Sequence, residues 1–190
     1  MTDFSEDIEK ALEVLRNGGT ILYPTDTVWG LGCDATNPEA VDKIFALKQR
    51  PPQKSCILLL ADRRDLLQYV TALDLSVFEY LENVTKPTTV IYPDVTGVAE
   101  NLISEDGTVA FRVVDEPFCK HLIKRFRKPI VSTSANISGA PTPANFGEIG
   151  PEIRNGVDYT VGYRQDDNSI REPSAIVRWS ADGDHIVIRS

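Results

Sequence analysis

The sequence predicts an α/β fold built on a mixed sheet. Three observations carry that expectation. Segments with a helical apolar period alternate with short β-branched runs, the last two runs are joined across Asp182-Gly183 like a hairpin, and no repeat or low-complexity segment breaks the alternation. A length of 190 residues is that of one domain, so residues 1–190 are read as a single unit.

From the start, Asp3 and Glu6 have capping-box spacing ahead of Ile8, Ala11, Leu12 and Leu15 on one helical face, and Gly18-Gly19 closes that helix. Thr20 to Tyr23 reads as a short buried strand ending at Pro24. Asn37-Pro38 opens a second helix bearing Val41, Ile44, Phe45 and Leu47; it ends near Gln49, because Pro51-Pro52 disfavours helical geometry just before it. Cys56 to Leu60, Val90 to Tyr92, Val109 to Val113 and Pro129 to Val131 read as strands, and Pro117 to Phe126 as a helix. Ser174 to Trp179 and His185 to Ile188 form the terminal hairpin, and Ser138 to Gly150 is expected as a long surface loop.

Composition narrows the function. At 42% hydrophobic and 25% charged residues the chain is neither disordered nor fibrous. The balance of 20 Lys+Arg against 28 Asp+Glu, a net −8, argues against a dedicated nucleic-acid binder while leaving room for a local basic patch. Three widely spaced cysteines without a CxxC pair point to free, buried thiols in a reducing compartment, with neither a zinc site nor a disulfide scaffold. An acidic N-terminus without a signal pattern, and apolar runs far shorter than the roughly 20 residues a membrane span needs, lead to the expectation of a cytoplasmic protein with no membrane partner.

Familiar catalytic patterns are missing: no GxxxxGK, HExxH or GxSxG occurs, and Gly30-Leu31-Gly32 never completes GxGxxG. His121 and His185 are assigned no role. Four segments instead put hydroxyl, amide and cationic groups at element ends, where α/β proteins bind ligands. Residues 23–32 (YPTDTVWGLG) read as a strand end and a polar, Gly-punctuated turn. Residues 48–54 (KQRPPQK) put three cations at a helix C-terminus, where the macrodipole favours them and where two prolines stiffen the exit for gripping a polyphosphate. Residues 131–139 (VSTSANISG) run from a strand into hydroxyls and an amide suited to an anion. Arg112, inside an apolar strand, either faces outward at an edge or points inward toward a carboxylate, the protein's own or a ligand's.

These segments, in this order, resemble the YrdC-like family of threonylcarbamoyl-AMP synthases in its short single-domain form. The resemblance rests on YPTDTVWGLG (23–32), FALKQRP (45–51), VAFR (109–112) and STSANISG (132–139). It implies a YrdC-like α/β twist: a curved mixed sheet, surrounding helices and an open cationic cavity. It also implies an enzyme, an L-threonylcarbamoyladenylate synthase that joins L-threonine, bicarbonate and ATP and releases pyrophosphate. The product serves the N6-threonylcarbamoyl modification of tRNA adenosine 37, and a downstream threonylcarbamoyl-transferase machinery is the implied partner.

Carried over residue by residue, the resemblance puts Lys48, Arg50, Ser134 and Asn136 on the nucleotide phosphates, with Lys48 and Arg50 in the catalytic role. Thr142 and Arg189 match nucleotide contacts more loosely. Thr25, Arg112, Ser132 and Ser174 are the implied threonine contacts. Mg2+ is expected with ATP, and no carboxylate identifies itself as a metal ligand. The chain departs from the family pattern at Val84 to Thr89, at Leu59, where many members carry His, and at Arg171-Glu172-Pro173. Those departures motivate an alternative, a paralogous protein of the same fold that binds a nucleotide or double-stranded RNA without synthase activity. The basic run Lys120, Lys124, Arg125, Arg127 and Lys128 motivates contact with tRNA or double-stranded RNA as a non-catalytic reading.

Overall fold

The computed structural model describes residues 3–51 and 56–190. In chain order it contains α1 (Ser5–Arg16), β1 (Ile21–Tyr23), β2 (Gly30–Gly32), α2 (Pro38–Lys48), β3 (Ile57–Leu60), α3 (Ser76–Asn83), β4 (Thr88–Tyr92) and β5 (Val109–Val113). Then follow α4 (Pro117–Phe126), β6 (Ile130–Ser134), α5 (Pro151–Gly156), β7 (Tyr159–Thr160), β8 (Ala175–Trp179) and β9 (His185–Arg189). The strands form one sheet in the order β7-β1-β2-β6-β3-β5-β4-β8-β9. Neighbours β1/β7, β3/β5 and β4/β8 run parallel and the remaining pairs antiparallel, so the sheet is mixed as expected.

Local chemistry explains the helix ends. Asn37 Oδ1 accepts the N–H groups of Glu39 and Ala40, with Pro38 in the first turn of α2. At its other end Gln49 turns left-handed (φ 50°), and the Arg50 N–H reaches back to the Phe45 carbonyl. The helix is therefore closed by its own cap; Pro52 and Lys54 lie outside the described residues. The capping box expected at α1 does not form. Phe4, its ring packed against Phe118, His121 and Tyr163, takes the cap position, which leaves Glu6 one place short of the box and paired with Lys10 instead.

One segment read as a turn is a strand, and one strand runs further than expected. Gly30-Leu31-Gly32 is β2, and β6 runs past Val131 to Ser134 because β2 pairs with it on one side and β3 on the other. The close approach requires Gly32. A Cβ there would lie 2.6 Å from a Tyr23 ring carbon and 2.7 Å from the Val131 carbonyl oxygen.

Register sets the two faces of the sheet. One face carries Leu22, Leu31, Leu58, Phe111 and Val131 into a core with Val41, Ile44 and Phe45 of α2. On the other, Ile21, Tyr23, Leu59 and Ile130 pack with Ile8, Leu12 and Leu15 of α1 and Phe118, Leu122 and Phe126 of α4. The pairings Gly30↔Ser134, Ile57↔Ser132 and Leu59↔Arg112 extend this second face beyond the packed helices, where polar residues replace the core. Gly32→Ala should destabilise the protein by about 1–3 kcal/mol through overpacking, read as a lower midpoint in urea unfolding; an unchanged midpoint would contradict this packing.

Candidate functional site

Two elements meet at the C-terminal end of β6. Arg50, thrown back by the left-handed end of α2, donates from Nη1 to Thr133 Oγ1 at 3.1 Å. Lys48 is buried, and its ammonium donates to the backbone carbonyls of Ser134 (2.5 Å) and Asn136 (2.7 Å). Burial, followed by the neighbouring Arg50 guanidinium, pulls the Lys48 pKa from 10.5 down to about 8, with Cys56 acting the other way. The loop after β6 closes on the same pair of residues: Ser138 N–H donates to the Lys48 carbonyl, and Asn136 Nδ2 donates to the carbonyls of Ile137 and Ala140.

Arg112 points inward from β5. It is 2% exposed and lies 3.0 Å from Oδ1 of Asp26, itself 7% exposed, so its partner is the protein's own carboxylate. Arg112 Nη2 also donates to Thr27 Oγ1 at 3.2 Å, while its Nε is buried without a hydrogen-bond partner. The Thr25 hydroxyl braces this turn internally, donating to the Val28 carbonyl and accepting the Thr27 N–H. From outside, Arg164 Nη1 donates to the Thr25 carbonyl and Nη2 pairs with Asp167. Hydrogen bonds from Ser169, then from Arg164 and Arg171, hold the Asp167 carboxyl well below the usual range.

Between these groups lies a cavity of about 250 Å³. It is lined by Arg50, Arg112, Ser132, Ser134, Thr142, Ser174 and Arg189, and also by Thr27, Trp29, Gly30, Cys56, Ile57 and Thr133. Among the described residues, no Asp or Glu lines it. Ser174 is fixed by Thr89, hydroxyl to hydroxyl at 2.8 Å, and its carbonyl accepts two hydrogen bonds from the Arg189 guanidinium. A larger cleft of about 780 Å³ opens on the Asp26 side, with Arg63, Arg64, Lys86, Lys120, Arg164 and Arg171 facing Asp26, Asp62, Asp115 and Glu116. Several of those cations are paired with carboxylates, as Arg112 of the smaller hollow is with Asp26.

A family model described as "Telomere recombination" (Sua5/YciO/YrdC) matches residues 13–190. The chain belongs to the Sua5/YciO/YrdC family. Among curated relatives, a Photobacterium profundum protein named threonylcarbamoyl-AMP synthase is 33% identical over 174 residues, 88% of this chain and 94% of that one. A Vibrio campbellii protein of the same name is 39% identical over 152 residues, 78% and 82% of the two chains. E. coli YciO superposes with a TM-score of 0.82 at 26% identity, over 97% of this chain and 89% of its own. P. abyssi Sua5, solved in complex with L-threonine, gives a TM-score of 0.84 at 23% identity over 97% of this chain, a likeness of fold. This chain spans only about half of that Sua5, 54% of its length.

Seven of the ten residues that the resemblance assigned thus share one cavity. Thr25, Lys48 and Asn136 do not line it: Thr25 braces the turn behind it, and the other two hold the loop beside it. Leu59, the departure from His, is fully buried in the second core. Sequence reasoning missed Asp26, Thr27, Thr89, Thr133 and Arg164. Asp26, Thr27 and Thr133 lay inside quoted motifs and Thr89 inside a noted departure from the family pattern, but no local signal ties Thr89 or Arg164 to the site.

Two outcomes follow. Asp26→Ala strands a buried guanidinium and should cost about 3–5 kcal/mol in urea unfolding, much of it recovered by adding Arg112→Met. Lys48 has a folded-state pKa depressed to about 8, so its burial penalty is fully present below pH 8 and is relieved as pH rises from there toward 10.5. The wild type should therefore gain stability relative to Lys48→Met across that range; parallel pH–stability curves would contradict it.

Proposed function

We propose that this chain is a cytoplasmic threonylcarbamoyl-AMP synthase, joining L-threonine, bicarbonate and ATP with release of pyrophosphate. The observation that carries the reading is the cavity that gathers Arg50, Arg112, Arg189 and four motif hydroxyls with no carboxylate among them. Threonine takes up CO2 on its amine, and a carbamate oxygen then displaces pyrophosphate from the α-phosphorus of ATP. Both reactants are anions. Positioning and charge neutralisation are the enzyme's tasks, and no protein nucleophile is needed.

In this reading Arg50, Arg189 and the hydroxyls of Ser134 and Thr142 take the nucleotide phosphates. The threonine carboxylate takes the buried Nε of Arg112, the donor that Asp26 leaves over, with Ser132 and Ser174 beside it. The hollow is smaller than the roughly 300–1,000 Å³ that encloses a drug-sized ligand, so it would surround the reacting groups and leave part of ATP outside. Mg2+ would travel with ATP, held there by phosphate oxygens and water, since no acid lines the cavity and no cluster of three metal-ligating side chains occurs among the described residues.

The adenylate would pass to a transferase acting on tRNA. Direct grip on RNA has less support: of the five basic residues that motivated it, Lys120, Arg125 and Lys128 are ion-paired with Asp115, Glu9 and Asp34. Among the described residues no helix is long and apolar enough to cross a membrane.

Purified protein given ATP, threonine and labelled bicarbonate should form labelled adenylate and threonine-dependent pyrophosphate; absence of both would sink the reading. Arg50→Ala should lower turnover about 100-fold, the scale of losing one preorganised donor to developing charge. Arg112→Ala should chiefly raise KM for threonine, by tenfold or more, the scale of a charge-assisted hydrogen bond at about 1.5–3 kcal/mol.

A further inference from the structure

Family resemblance assigns Lys48 and Asn136 to the phosphates, yet their donor groups are engaged elsewhere. Two of the three Lys48 N–H bonds reach the carbonyls of Ser134 and Asn136, from a side chain almost wholly buried behind the loop. The Asn136 amide group reaches the carbonyls of Ile137 and Ala140. Its remaining polar atom, Oδ1, is buried without a hydrogen-bond partner and is an acceptor, which would repel a phosphate oxygen. Four carbonyls of the 134–140 loop are thereby drawn toward two side chains. The Ser138 N–H, bonded to the Lys48 carbonyl, ties the same loop to the end of α2.

We propose that Lys48 and Asn136 are positioning residues that hold the carbonyl oxygens of the 134–140 loop away from the cavity, so that a polyanionic ligand meets Arg50 and the hydroxyls of Ser134 and Thr142 and not a row of carbonyl dipoles. The proposal rests on the nucleotide reading for the identity of the ligand. Its geometric part, that these two side chains build the loop, stands on the contacts alone. A buried ammonium suits the task, since one group satisfies two acceptors that would otherwise lose water without replacement.

Two measurements on the 190-residue chain test it. The first is amide hydrogen exchange without nucleotide. In Lys48→Met, exchange across residues 135–140 should quicken about tenfold, as expected from losing two hydrogen bonds that hold the loop closed. In Arg50→Ala it should stay at the wild-type rate. Wild-type exchange in Lys48→Met would overturn the proposal, because a phosphate ligand has no reason to order the loop before phosphate arrives. Should Lys48→Met fail to fold, Lys48→Gln, which keeps two donors on a shorter, neutral arm, is read the same way with a smaller quickening.

The second is a double-mutant cycle on ATP affinity with Lys48→Met and Asn136→Ala. Two residues acting through one loop should couple, the double variant binding within about twofold of the weaker single one. Losses that multiply as independent contacts would overturn the proposal. If the wild type binds no ATP, the nucleotide reading falls, and the exchange comparison still decides whether the loop is built this way.

Discussion

A guanidinium buried in the middle of a sheet is tolerable only beside a carboxylate, and much of the site's architecture meets that requirement at Arg112. Its partner, Asp26, stands in the turn between β1 and β2, so the ion pair draws that turn down onto the sheet face. Thr25 stiffens the turn from within and Arg164 from outside. The same turn brings Thr27 onto Nη2 and, with Trp29 and Gly30, forms one wall of the hollow. Held on one side by Asp26, the guanidinium has its Nε buried without a hydrogen-bond partner.

In a chain of net charge −8, the grouping of arginines at one hollow comes from arrangement and not from composition. Arginines from the end of α2, from β5 and from β9 converge on a space that, among the described residues, no Asp or Glu lines. The larger cleft nearby has more cations, but its carboxylates neutralise many of them. Lys48 and Arg50, two residues apart, divide the labour because the left-handed Gln49 sends them in different directions: the ammonium goes under the loop, the guanidinium to the cavity wall.

The departures from the family pattern find internal partners. Thr89 bonds the Ser174 hydroxyl, which steadies the residue that faces the cavity. Arg171 pairs with Asp167, the carboxylate that also holds Arg164, so the stretch leading to Ser174 is anchored to the same group that buttresses the Asp26 turn. Leu59 joins the apolar core beside Arg112, consistent with a site whose polar contacts come from hydroxyls and arginines with no imidazole among them.

Local chemistry was enough to predict the α/β class, the spans of α2, α4 and the last hairpin, and the four segments that supply the cavity, because caps, apolar periods and turn residues act over a few neighbours. It misplaced β2 and the end of β6. A glycine pair and a hydroxyl run look like turns until strands on both sides satisfy their backbone groups. Tertiary structure alone decided that Asp26 neutralises Arg112, that Arg164 and Thr89 bond Thr25 and Ser174 from 139 and 85 residues away in sequence, and that Lys48 turns to carbonyls instead of the open hollow. Charge pairing and burial depend on which groups share a dry space, and only the folded chain determines that.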